Sequence, residues 1–165
     1  MGTTAFILTD REKYTPEKFL ADTIVATFHS DAKLIFENYK NYEEGRFSST
    51  TLNIVDHSYN SEENNYQFIL YVKARENPSI FFSDYDDLGL NSDRELFRIG
   101  TIEEVYGAEK VIFRFIYEYL KINPDDYFWV ADYDWVYSWE DMQRLKSLPY
   151  DPDWCYKNPE YENWQ

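Results

Sequence analysis

The twelve residues Asp84 to Glu95 (DYDDLGLNSDRE) come nearest to a metal-binding pattern in this chain. Numbered as a calcium loop, Asp84, Asp86, Gly89, Ser92 and Glu95 fall at positions one, three, six, nine and twelve. Position five is Leu88, which offers no side-chain oxygen. The preceding SIFFS run reads as a strand where such a loop follows a helix. The segment is therefore expected to be an acidic surface loop; metal binding is the alternative, and no metal ligand is assigned. Asp132-Tyr133-Asp134 has the D-x-D spacing that some glycosyltransferases use to hold a nucleotide-sugar's divalent ion. A tripeptide is a weak signal, and aspartate is common at turns because its side chain bonds the local backbone.

Acid–base and nucleophilic candidates are few. His29 and His57 are the only histidines. His57 follows Asp56 directly, but neighbours on a strand point to opposite faces, so the two form no working dyad. Cys155 lies between Trp154 and Tyr156 with no histidine near it in sequence, which predicts a buried thiol rather than a nucleophile. Serine elbows and phosphate-cradling glycine loops are absent from a chain with five glycines. The sequence predicts no catalytic residue, no cofactor and no enzyme.

Aromatic residues offer a different chemistry. All five tryptophans (Trp129, Trp135, Trp139, Trp154 and Trp164) fall in the C-terminal third. Tyr127 to Tyr137 (YFWVADYDWVY) reads as a hairpin turning at Asp132-Tyr133-Asp134. Phe128 and Val130 would face one side, Tyr127 and Trp129 the other. Tyr and Trp exposed beside aspartates are typical of interfaces, where they dominate binding energy. The competing expectation is that the following helix and tail cover both faces.

The elements that must position these residues follow from periodicity. Thr3 to Thr9 reads as a strand. Thr15-Pro16-Glu17 starts a helix, and Leu20, Ile24, Phe28, Ala32, Ile35, Phe36 and Tyr39 extend it over about 16–42, with Ser30-Asp31 as a possible break. Residues 47–59 and 66–75 form a predicted hairpin with loop 60–65, and 79–83 a third strand. Thr101-Ile102-Glu103-Glu104 reads as a capping box for a helix reaching Lys121, stopped by Asn123-Pro124. Ser138 to Asp141 resembles a second capping box. The expected architecture is one α+β domain over 1–165: an antiparallel sheet of five to six strands, two main helices and a short C-terminal helix. Residues 150–165 would be an irregular tail on the body.

The 165 residues carry 31 acids against 16 bases, a net charge of -15, and 20% are aromatic. That aromatic load argues against disorder, since each buried ring removes about 150–250 Å² from water. No apolar run reaches the ~18 residues of a spanning helix. The start of the chain lacks the features of a secretory signal or a myristoylation site. A single cysteine fits a reducing cytoplasm. The charge disfavours direct binding to nucleic acid or anionic membrane, and a basic protein partner is expected. Residues 76–104 hold net -6 and 123–165 net -7, so -13 of the -15 lies in two blocks around the apolar stretch 105–122.

A small, acidic, aromatic-rich α+β chain without a catalytic set resembles in overall character the immunity proteins of bacterial polymorphic toxin systems. It is similar also to phage anti-defence proteins that mimic nucleic-acid charge. The likeness lies in overall character and carries no motif, so no site residue is transferred. It implies a non-enzymatic cytoplasmic inhibitor that occludes a basic toxin, nuclease or nucleic-acid-binding effector. The residues expected to bind it are Asp84, Asp86, Asp87, Asp125, Asp126, Trp129, Asp132, Tyr133, Asp134, Trp135, Glu140 and Asp141.

Overall fold

The computed structural model describes residues 3–37, 42–57, 67–76, 82–83, 85–91 and 93–160. Its main element is an antiparallel sheet in the order β2-β5-β6-β8-β1-β9. These strands are β1 (Ala5–Asp10), β2 (Ala32–Glu37), β5 (Ser49–Asp56), β6 (Gln67–Lys73), β8 (Leu96–Glu103) and β9 (Tyr127–Val130). The short β7 (Phe82–Ser83) also pairs with β8, and β3 (Tyr42–Glu43) with β4 (Arg46–Phe47) makes a separate ribbon. Helices α1 (Pro16–His29), α2 (Glu109–Ile122) and α3 (Trp139–Lys146) complete the α+β architecture that the sequence predicts. No helix among the described residues is long and apolar enough to cross a membrane.

Helix α1 starts as its residues dictate. Thr15 Oγ1 accepts from the Lys18 backbone N–H at 3.2 Å, and Pro16 fills the first turn. It does not run to residue 42. Ser30 closes it by donating to the carbonyls of Ala26 and Thr27, and Asp31 turns the chain at φ 55°. Residues 32–37 then form β2, whose alternation puts Ala32 in the core and Lys33 in solvent. The apolar positions 32, 35 and 36 fit a helical spacing as well as a strand, and Asp31 in the left-handed region decides between them.

The second correction concerns 96–108. Thr101, Ile102 and Glu103 are the end of β8, not a helix cap. Helix α2 begins at Glu109, whose carboxylate reaches back to accept from the Gly107 N–H at 2.9 and 3.0 Å. β8 is an inner strand, bonded to β1 on one side and to β6 and β7 on the other. Burial on both faces removed the alternation that marks an amphipathic strand. The hairpin of β5 and β6 forms as predicted, with Leu52 opposite Leu70; its loop lies outside the described residues.

All three helices lie on one face of the sheet, over a core that includes Ile7, Leu52, Phe68, Ile99, Phe115 and Phe128. Phe68 meets Phe115 at 5.4 Å, and Phe19 meets Tyr119 edge-on at 5.6 Å. Gly100 lets α1 come this close: a Cβ there would lie 2.8 Å from the Phe19 ring. Gly100→Ala should therefore destabilise the fold by about 1–3 kcal/mol through overpacking. Phe19→Leu in the same chain should recover part of the loss. Urea melts of both variants check this, and a neutral Gly100→Ala would contradict the packing.

The second face of the sheet is covered at the β8-β1-β9 end. There Leu8 and Leu96 pack with Tyr85, Leu88, Trp129 and Val136. This second, smaller core holds the acidic loop against the strands.

Candidate partner-binding face

The loop before β8 is fastened at several points. Residues 86–88 form a single 3-10 turn, closed by Leu88 N–H donating to Tyr85 O at 2.9 Å. Tyr85 and Leu88 are buried beneath it. Arg94 fixes the far end: Nε donates to Asp10 Oδ1 at 3.0 Å, Nη1 to Tyr127 Oη at 3.1 Å and Nη2 to Asp125 O at 2.9 Å. Its guanidinium also lies over the Tyr127 ring. The loop is thus tied to β1 and to the start of β9. Asp87 stands exposed on it. Asp84 lies outside the described residues, and of Asp86 only the backbone turn is placed.

The predicted hairpin forms only in part. β9 pairs with β1 along its length, while the returning chain touches it at one antiparallel bridge, Phe128 with Tyr137. Residues 131–136 make the connection, with Ala131 N–H donating to Thr4 O at 3.0 Å and Tyr133 N–H to Val130 O at 3.1 Å. Trp129 is half-buried against Phe6 and Tyr85, and its indole N–H donates to Tyr133 O at 2.8 Å. Tyr133 stacks on Trp135 at 4.5 Å and 27°. Trp135 Nε1 donates to Tyr137 Oη at 3.1 Å, and that hydroxyl bonds the carbonyls of Trp154 and Lys157. The two rings form a partly buried aromatic ledge packed against the edge of the main core, with Tyr137 fully buried behind it. Asp132 and Asp134 are exposed on either side of Tyr133, and Glu140 is exposed on the first turn of α3.

Asp141 has another duty. Its carboxylate accepts from the Ser138 N–H at 2.9 Å while Ser138 Oγ accepts from the Asp141 N–H at 3.1 Å, completing the capping box read in the sequence. A cleft of about 350 Å³ runs between this segment and the acidic loop, lined by Leu88, Leu90, Asp134, Trp135 and Asp141 among others. The structure therefore brings Asp134, Trp135 and Asp141 beside residues 88–90 of the loop.

Asp126 does not belong to this surface. It is 5% exposed, at the bottom of a cavity of about 280 Å³ whose lining includes Thr9, Lys18, Asp22, Tyr119 and Asn123. Thr9 Oγ1 donates to one carboxylate oxygen at 2.7 Å and Tyr119 Oη to the other at 2.8 Å. Burial pushes its carboxyl up to about 6, outweighing these two bonds and the nearby Lys18. Asp125 is exposed but lies 3.7 Å from Lys13, which offsets its charge. The spacing of Thr9, Tyr119 and Asp126 along the chain carries no local pattern, so only the tertiary fold joins them.

The remaining candidates are placed apart from one another. His57 Nδ1 lies 2.9 Å from Asp31 Oδ1 in an exposed pair, whereas Asp56 is buried against Arg114. His29 is exposed on the last turn of α1. Cys155 is fully buried, and burial pushes its thiol up to about 12, far from a reactive thiolate. Among the described residues no group of three or more His, Cys, Asp or Glu is placed to hold a metal ion. Comparison with protein families, with curated proteins and with solved structures finds no match.

Proposed function

We propose that this chain is a non-enzymatic binding protein that uses its acidic, aromatic face to occlude a basic surface on a protein partner. The biological reading is an immunity protein that neutralises a bacterial toxin in the cytoplasm. The observation that carries it is the stacked Tyr133–Trp135 pair flanked by exposed Asp132 and Asp134. Rigid aromatic rings supply contact area with little entropy lost on binding, while the surrounding carboxylates steer a cationic surface toward them. Fastening by Arg94, Tyr137 and the capping box keeps the face formed before the partner arrives, which lowers the cost of binding.

Reversing Asp132 and Asp134 to lysine should slow association with the partner about tenfold and flatten its dependence on salt, because steering acts on the encounter rate. Replacing Trp135 by alanine should act on dissociation instead. Stopped-flow or surface-based kinetics at two salt concentrations separate the two effects. An association rate unchanged in the double reversal would remove this face from the interface.

A further inference from the structure

The cavity between α1, α2 and the start of β9 holds a charge that the fold does not balance. Its lining carries two lysines and three aspartates, with the 5% exposed Asp126 at the bottom. Both lysines are committed elsewhere. Lys18 Nζ donates to Asp22 Oδ2 at 2.5 Å and to Asn123 Oδ1 at 2.8 Å. Lys13 Nζ stands 3.6 Å from Asp10 and 3.7 Å from Asp125. Among the described residues the partners of the Asp126 carboxyl are two hydroxyls, and it makes no ion pair. An ionised carboxylate has about four lone-pair positions, of which Thr9 and Tyr119 take one on each oxygen. Burying a carboxyl without a cation costs the fold stability, and such groups gather at sites that use them.

We propose that this cavity binds a small organic cation, a primary ammonium on a compact hydrocarbon body. The ammonium, with three N–H donors, takes the remaining lone-pair positions of Asp126, and the body lies against Phe19, Ile99 and Ile122 of the lining. The volume of about 280 Å³ falls at the lower end of ordinary ligand pockets, about 300–1,000 Å³, and suits a short chain or a single ring. An anion fits poorly, because each lysine already faces an aspartate and the Asp126 carboxylate repels it. A calcium ion needs about 6–8 oxygen ligands, and no group of three or more acidic, His or Cys side chains among the described residues is placed to supply them. The cavity shares no lining residue with the cleft beside Trp135, so this site is separate from the acidic face.

The charge on Asp126 makes such binding depend on pH. Facing it are Thr9 and Asp10 of β1, Lys13 and Tyr14 after that strand, Lys18 and Asp22 of α1, Tyr119 of α2, and Asp125 beside it. The Asp126 carboxyl, raised by burial, titrates at about 6. Only its ionised form holds an ammonium, so affinity is full above that value and is lost as pH falls below it. An alkylammonium keeps its charge throughout, since amines of the lysine type titrate near 10.4.

NMR titration of the isotope-labelled chain with butylamine tests this without any protein partner, so its outcome is independent of the proposed inhibitor function. At pH 7.5 butylamine should shift the backbone amides of Thr9, Tyr119 and Asp126 saturably. 1-Butanol, of the same length but uncharged, should bind at least about tenfold more weakly. Between pH 7.5 and pH 5 butylamine affinity should fall about tenfold, because one pH unit below its pKa about nine carboxyls in ten are protonated. Asp126→Asn keeps a partner for both hydroxyls and should lower the affinity at pH 7.5 about tenfold and abolish its pH dependence. No saturable shift with butylamine would overturn the proposal. So would equal binding of 1-butanol, or an Asp126→Asn variant that binds butylamine as the wild type does.

Discussion

Replacing Trp154 by alanine will lower the unfolding free energy by about 3–5 kcal/mol, the range for removing a buried tryptophan. Of domain stabilities that run about 5–15 kcal/mol, that is a third or more. The size follows from position. Trp154 is 1% exposed, its indole N–H donates to Glu109 O at 2.9 Å, and its ring meets Phe113, Phe128 and Tyr137. It joins the tail to the start of α2 and to the back of the aromatic ledge. Trp154→Phe keeps most of the apolar contact and loses the hydrogen bond, so it should cost about 1–2 kcal/mol. Urea titrations followed by circular dichroism check both. A loss below about 1 kcal/mol for the alanine variant would mean that the tail is dispensable to the fold.

The second large effect is at Asp126. Its carboxyl is raised from 3.8 to about 6 in the folded chain, chiefly by burial. Between those values the native state binds more protons than the unfolded state. The stability from this group is thus fully present below the unfolded value and is lost as pH rises through 6. At about 1.4 kcal/mol per pKa unit, the contribution is roughly 2–3 kcal/mol. Asp126→Asn removes the titration, and both neighbouring hydroxyls can accept as well as donate. Stability relative to wild type should therefore rise by that amount between pH 4 and pH 7. Subtracting the two curves cancels the repulsion among the other carboxylates. Asp126→Ala, by contrast, deprives the Thr9 and Tyr119 hydroxyls of their acceptor and should cost about 2–4 kcal/mol. Parallel curves for wild type and Asp126→Asn would show that the carboxyl does not titrate as a buried group.

The class of fold was legible because local signals and tertiary packing agreed over most elements. Thr15-Pro16 starts α1, residues 49–56 pair with 67–73, and Ser138 with Asp141 caps α3, each by chemistry confined to a few neighbours. At two further elements local chemistry leaves a choice that the fold decides. Positions 32–36 fit two periods, and the turn at Asp31 selects the strand. Thr101 to Glu103 would cap a helix in isolation, but pairing with both β1 and β6 is available only in the folded sheet. At the candidate face, composition showed the aspartates and tryptophans but not their orientation. Asp126 and Asp134 are alike in sequence, eight residues apart. One lies buried beneath two hydroxyls, of which Thr9 is 117 residues away along the chain and Tyr119 seven, and the other lines an open cleft.

The most direct measurement of the central claim is capture from host lysate on two immobilised chains, wild type and the Asp132→Lys, Asp134→Lys double variant. Bound protein is eluted along a salt gradient and identified by mass spectrometry. The account predicts one basic toxin, nuclease or nucleic-acid-binding effector on the wild type, released as salt rises and absent or sharply reduced on the variant. Equal retention by both chains, or nothing retained by the wild type at low salt, would contradict it.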